Sequence, residues 1–361
     1  MGLGMATSLQ RRWMEWGRRC LGPAGRIYAA GMRVREALYA TRILPSWRPP
    51  VPCVSVGNIS WGGSGKTPLA EWMLRFASGK GMTPALLSRG YKAIPPYYPF
   101  LVRPRDRAAE TGDEPLMLAR SCRDALVVID PRRERGGQWI WDRNRPDLFV
   151  LDDGMQHLRV ERDLDLVLLT PRDLKQDWNR VLPSGSWREG QQALRRADAF
   201  ILHTPPGSEK GMFARLRSRL DLGNKPVFSV SLNPVGLLRP NGSRVHLGPG
   251  EPYLLISGVG RPEAVEQGVT GLVGEPPERH MAFPDHHPFS GQDWERIRRT
   301  ADDLGCRVIC CTPKDAVKLE GLADSRLACL DLRLSFGETD NTRLDFPAWL
   351  EQTLNETSRR G

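Results

Sequence analysis

The chain has no apolar run approaching the roughly 18–20 residues that a membrane-spanning helix needs. It also lacks the uninterrupted apolar core and small-residue cleavage site of a secretory signal. Its seven cysteines are odd in number and include no C-x-x-C pair, and Cys310 and Cys311 sit inside an apolar run where a thiol behaves as a small hydrophobe. These absences predict a reduced, cytosolic chain without a disulfide framework. No internal repeat is present, and Asp285-His286-His287 with nearby His280 fits no common zinc spacing and has no fourth ligand.

What is present is ordinary globular composition, 40% hydrophobic and 26% charged over 361 residues, a length for which two domains are expected. The net charge of +10 is concentrated at one end. Residues 1–50 hold nine arginines (Arg11, Arg12, Arg18, Arg19, Arg26, Arg33, Arg35, Arg42 and Arg48) against Glu15 and Glu36. Within this basic arm, residues 26–44 have helical periodicity. Ile27, Gly31, Val34 and Leu38 form one stripe, with Arg26 and Arg33 on one flank and Arg35 and Arg42 on the other. Trp13, Trp16 and Tyr28 add amphipathic rings. Such a helix suits an anionic membrane surface, at about 1 kcal/mol per basic residue near the headgroups. It also suits a helix packed on its own domain with a solvated arginine face. Nucleic acid is not expected as a partner, because the arginines lie on an apolar-striped helix without a base-stacking surface.

After Pro49-Pro50, short β-branched runs alternate with helical segments. Strands are expected at 51–57, 85–88, 126–129, 148–151, 164–169, 199–203 and 227–230, several of them apolar throughout, as in parallel strands covered on both faces. The alternation predicts a doubly wound α/β domain over 49–231. Residues 232–250, rich in Pro, Gly and Asn, with a hairpin signal at Asn241-Gly242, are expected to form a short β hinge. A smaller α/β domain over 251–361 follows, with elements at 253–257, 262–267, 291–304, 307–311 and 328–332 and a closing helix at 349–357.

The strongest local signal follows the first of these strands. Gly57-Asn58-Ile59-Ser60-Trp61 runs into Gly62-Gly63-Ser64-Gly65-Lys66-Thr67-Pro68 and then a helix over 69–76. Glycines let backbone N–H groups converge on phosphate oxygens, and the helix N-terminus adds its positive end. In such a P-loop, Lys66 neutralises the β- and γ-phosphates and the Thr67 hydroxyl ligates magnesium. The strict pattern wants glycine at 60, where this chain has Ser60. Asp152-Asp153-Gly154, closing the strand at 148–151, places paired acids where a magnesium-binding carboxylate belongs. The Asn-Lys-x-Asp guanine reader of GTPases is absent, since the nearest stretch is Thr312-Pro313-Lys314-Asp315.

The full constellation resembles the tetraacyldisaccharide 4′-kinases of lipid A biosynthesis. To the loop it adds Leu87-Ser88-Arg89-Gly90-Tyr91, Thr111-Gly112-Asp113-Glu114-Pro115, Leu151-Asp152-Asp153-Gly154-Met155-Gln156-His157 and Arg162-Asp163. Leu182-Pro183-Ser184-Gly185-Ser186-Trp187-Arg188-Glu189, Asp285-His286-His287 and Lys314-Asp315 complete it. The likeness runs from the arm to about residue 319, and Ser60 belongs to this family's form of the loop.

That resemblance implies a P-loop NTPase-like parallel-sheet domain and a smaller α/β domain, with an N-terminal amphipathic helix. It implies transfer of the γ-phosphoryl group of ATP, with Mg2+, to the 4′-hydroxyl of a lipid-linked glucosamine disaccharide 1-phosphate, giving lipid IVA. The enzyme would be peripheral, on the cytoplasmic face of the inner membrane. Another P-loop small-molecule kinase or ATPase at the membrane surface is the alternative. Matching positions assigns the base to Asp113, paired with His286 or His287, of which His286 is preferred. Lys66 joins them in catalysis. Nucleotide binding falls to Gly62, Gly63, Ser64, Gly65, Lys66, Thr67 and Pro68, with Arg89, Arg133 and Arg188 near phosphates. Thr67, Asp152, Asp153 and Glu114 are candidate metal residues, and Gln156-His157 would touch nucleotide or sugar. Without the resemblance, Asp113-Glu114-Pro115 reads first as an acidic helix start, and for each arginine a surface ion pair worth at most about 1 kcal/mol is the competing reading.

Overall fold

A computed structural model describes residues 21–205 and 207–358. The first twenty residues of the expected arm, with Arg11, Arg12, Arg18, Arg19, Trp13 and Trp16, lie outside the described residues. The fold is α/β with mostly parallel pairing. It divides by contact density into two compact units. One comprises the described parts of Met1–Lys66, Asp153–Val230 and Phe336–Gly361, the other Thr67–Asp152 and Ser231–Ser335. This division follows contacts, whereas the sequence expectation followed chain order.

In the first unit, the strands Cys53–Asn58, Leu164–Leu169 and Ala199–His203 and the start of Val227–Leu238 pair in parallel, with Val54 opposite Leu164, Leu166 opposite Ala199 and Phe200 opposite Val227. Every residue of the first two strands is buried, which is why both read as near-continuous apolar runs. Trp187, Phe200 and Met155 lie in the core on one side. The closing helix Phe346–Ser358 sets Phe346 edge-on against Phe228, 5.1 Å between ring centres.

The helix expected over 26–44 runs from Gly22 to Ala40, with Pro23 in its first turn, where a missing N–H costs nothing. It ends where Arg42 turns to positive φ. It packs through Gly25, whose hypothetical Cβ would meet the Val181 carbonyl at 2.9 Å, and through Ala29, while Glu36 pairs with Arg196 at 2.9 Å. Ile27 (75% exposed), Val34 (60%) and Ile43 point to solvent.

In the second unit, Pro84–Ser88 lies between Leu126–Ile129 and Leu148–Asp152, all parallel, and Phe100–Val102 adds an antiparallel edge. Tyr253–Ser257 lies between Arg279–Ala282 and Val308–Cys311, again in parallel. The helix Pro313–Leu319 packs against the helix Asp113–Ser121. The expected hinge stretch continues the strand Val227–Leu238 and turns back at Asn241-Gly242 to pair with Arg244–Val245, Gly242 taking φ 83°. The strand expected at 328–332 extends over Leu327–Asp340. Its second half is polar and partly exposed, so it carries no apolar signal.

Candidate active site

The strand Cys53–Asn58 ends in a loop that opens the helix Lys66–Gly79. Gly62 and Gly65 adopt φ 117° and 88°, conformations that a side chain would strain. The loop is braced from residues 186–188: the Trp61 amide donates to the Ser186 carbonyl at 2.8 Å, and the Arg188 amide to that of Ile59 at 2.7 Å. Ser64 is buried, Gly62 and Gly63 are exposed, and Pro68 sits in the helix's first turn, whose amides need no intrahelical partner.

Within the first unit, Lys66 donates to Asn58 Oδ1 at 2.9 Å and lies 3.5 Å from Asp153 Oδ1. Arg188 grips Asp153 with both Nη atoms and donates to Asn58 Oδ1 at 2.5 Å. Gln156 donates to the Asn58 carbonyl at 3.1 Å, and its own carbonyl accepts from Arg35. Asn58, given no role from the sequence, thus ties the lysine to the arginine. Asp153 has φ 51°, an αL turn directly after the strand Leu148–Asp152.

Within the second unit, Thr67 donates to Glu114 Oε2 at 3.0 Å, although 47 residues separate them. Asp152 is buried, accepts from Ser88 Oγ at 3.2 Å, and receives Arg133 on its carbonyl at 3.1 Å. Arg133 is itself buried, and Arg89 is exposed.

Asp113 opens the helix Asp113–Ser121, where a negative charge complements the N-terminal dipole. Its Oδ2 lies 3.1 Å from His286 Nδ1. His287 instead reaches Asp293 at 3.1 Å, so the structure separates the two adjacent histidines. Lys314 donates to His286 Nε2 at 2.9 Å. An ammonium can only donate, so Nε2 is the acceptor and Nδ1 carries the proton toward Asp113. Lys314 also donates to Asp285 at 3.0 Å. Burial pushes the Asp285 carboxyl up, and the Lys314 hydrogen bond and charge outweigh it, leaving it below the ordinary carboxylate value. Lys318, which the sequence did not single out, lies 3.7 Å from Asp113 Oδ2; its spacing of four from Lys314 was the available signal.

His280 bonds to Ser257 at 2.7 Å and Glu266 at 2.9 Å. Among the described residues no group of three or more His, Cys, Asp or Glu could hold a metal by itself. No described helix is long and apolar enough to cross a membrane.

A family model described as tetraacyldisaccharide-1-P 4′-kinase (LpxK) matches residues 17–353. The chain belongs to this family. A tetraacyldisaccharide 4′-kinase of Nitratidesulfovibrio vulgaris is 48% identical over 94% of this chain and 95% of its own. One from Oleidesulfovibrio alaskensis is 45% identical over 90% and 89%. A crystal structure of LpxK from Aquifex aeolicus in complex with ATP superposes with a TM-score of 0.74 at 28% identity, covering 94% of this chain and 99% of the other. Membership makes the chain a kinase, a phosphotransferase with an alcohol acceptor.

Proposed function

We propose that this family member transfers the γ-phosphoryl group of ATP to the 4′-hydroxyl of a tetraacyl glucosamine disaccharide 1-phosphate, giving lipid IVA. The observation that carries the reading is the contact between Asp113 and His286, 173 residues apart. A sugar hydroxyl is a poor nucleophile and needs a positioned base as the phosphoryl group leaves. Asp113 takes the hydroxyl proton, and the His286 Nδ1–H orients the carboxylate. Amides of Gly62–Lys66 cradle the phosphates, with Lys66 as their counter-charge; Arg188 holds Asp153 and Asn58 in place around it.

Thr67, Glu114 and Asp152 supply hard oxygen donors of the kind that suit Mg2+, which ordinarily takes one or two carboxylates and completes its shell with phosphates and water. Bound there, Mg2+ would neutralise charge on the phosphates. Asp153, committed to Arg188 and Lys66, serves these cations instead of the metal.

The helix Gly22–Ala40 seats the enzyme peripherally on the cytoplasmic face of the inner membrane. Support comes from its exposed Ile27, Tyr28 and Val34 beside Arg26 and Arg33, opposite the face packed through Gly25 and Ala29. The test is phosphorylation of the detergent-dispersed disaccharide 1-phosphate by purified protein with Mg2+ and ATP. A doubly phosphorylated lipid is expected. ATP hydrolysis without it would overturn the acceptor assignment.

A further inference from the structure

Between the strands Pro84–Ser88 and Phe100–Val102 the chain runs out to solvent through Tyr91-Lys92-Ala93-Ile94-Pro95-Pro96-Tyr97-Tyr98-Pro99. Ile94 is 80% exposed, the highest value of any large hydrophobic side chain among the described residues. Tyr97 (62%) and Tyr91 (58%) stand out beside it, and Pro96 is exposed as well. A lone exposed apolar residue is ordinary, whereas a contiguous group of them marks a contact surface. The loop is pinned at both feet. Gly90 (φ 67°) and Lys92 (φ 58°) turn it, and the Ala93 amide donates to the Gly90 carbonyl at 3.0 Å. The Tyr98 hydroxyl donates to the Ala93 carbonyl at 3.4 Å, and Phe100 closes the loop opposite Ile129, its ring 5.4 Å from that of Tyr97. Pro95, Pro96 and Pro99 carry no backbone N–H, so the tip exposes fewer donors that an apolar medium would leave unpaired.

Cations flank this apolar tip in sequence. Arg89, Lys92, Arg103, Arg105 and Arg107 are all exposed, and Asp106 is the one acid within residues 89–107. The foot of the loop touches the segment that opens at Asp113. Tyr91 sets its ring edge-on to His286 at 5.3 Å. A Cβ on Gly112, the residue before Asp113, would fall 3.0 Å from the Tyr91 carbonyl oxygen and 3.8 Å from the Ala93 Cβ. All of these residues belong to the second unit. We propose that the loop 91–99 is a membrane-docking surface, with residues 94–97 entering the headgroup region of a bilayer that contains anionic lipid. An apolar tip with a basic border of one sign complements an anionic headgroup layer over an apolar interior. Tyrosine suits that boundary, having an apolar body and a polar end. Docked in this way, the loop sets the Asp113–His286 pair close to the headgroup plane, where a sugar hydroxyl of a lipid lies. The choice of a bilayer as partner rests on the reading of the acceptor as a lipid. The exposed stripe of the helix Gly22–Ala40 belongs to the first unit, so the loop adds a contact of its own.

The test sediments full-length protein with vesicles of phosphatidylcholine, alone or mixed with phosphatidylglycerol, and free of acceptor lipid. Replacing Ile94 and Tyr97 together by aspartate is expected to weaken binding to the mixed vesicles by about tenfold or more, from lost insertion and added repulsion. Ile94→Asp alone, at the most exposed position, should weaken it in the same direction, and Ile94→Leu should bind as the unmodified chain does. Lys92→Ala should cost about fivefold on the mixed vesicles and little on phosphatidylcholine alone. With acceptor embedded in the vesicles, phosphorylation by the double variant should fall with binding, while kcat on detergent-dispersed acceptor stays within about twofold. Equal vesicle binding by the double variant and the unmodified chain would overturn the inference. A raised KM for dispersed acceptor with vesicle binding intact would also overturn it, giving the patch to the acceptor's own acyl chains. Altered sedimentation of the lipid-free protein with vesicle binding intact would overturn it in favour of a second copy of the chain. Should the unmodified chain phosphorylate no lipid, the acceptor reading falls, and vesicle binding still decides the loop.

Discussion

Arg188 holds Asp153 through both ends of its guanidinium fork, Nη1 to Oδ2 and Nη2 to Oδ1, each at 2.7 Å. A lysine ammonium cannot reproduce that planar two-point grip. Arg188→Lys is therefore expected to behave nearly like Arg188→Ala, each losing about tenfold or more in kcat/KM for ATP. Steady-state kinetics with ATP varied would check this. Full rescue by lysine would show that charge alone matters at this position.

His286 and His287 are neighbours in sequence with different carboxylate partners. His286→Ala should lower kcat by about 100-fold, within the usual span of acid–base contributions. His287→Ala, which loses the contact to Asp293 at the start of the helix Gly291–Asp303 and the ring contacts to Phe283 and Phe289, should stay within about threefold. Comparing kcat at saturating substrate for the two variants separates them. Equal losses would place the chemistry on the loop as a whole.

A Cβ at Gly57 would fall 2.5 Å from the Met155 Cβ and 2.7 Å from its backbone nitrogen. Gly57→Ala consequently cannot be accommodated by a side-chain rotation. It should destabilise the protein by about 1–3 kcal/mol, the usual cost of overpacking a core. Thermal or urea unfolding would measure it, and an unchanged midpoint would mean that the strand and the segment after Asp153 separate freely.

Replacing Ile27 and Val34 together with glutamate puts two anions on the exposed stripe of the helix Gly22–Ala40 without touching its packed face. Binding to vesicles containing anionic lipid should fall by about tenfold or more, from lost apolar insertion and added repulsion. ATP binding should be retained. Unaltered vesicle binding would remove this helix from the membrane interface.

Much of the architecture was legible because its signals are local. The buried strands Cys53–Asn58 and Leu164–Leu169 are near-continuous apolar runs, and the glycines of the phosphate loop announce φ angles that other residues avoid. The reach of Leu327–Asp340 was not legible, since its second half is polar, and a polar strand looks like a loop. The preference for His286 over His287 came from resemblance; nothing in three consecutive residues says which ring meets Asp113.

The sequence alone determined that a strand, a glycine turn and a helix would follow one another at Gly57–Thr67, and that acids would end the strand before Gly154. Those outcomes depend on backbone freedom and on the burial of neighbouring side chains. The tertiary structure decided the partnerships: Asn58 and Asp153 with Lys66 and Arg188, His286 with Asp113, Lys318 between Asp113 and Asp315. Such contacts join residues up to some two hundred positions apart, and a shift of a single residue in strand register or helix phase would turn each side chain to another face.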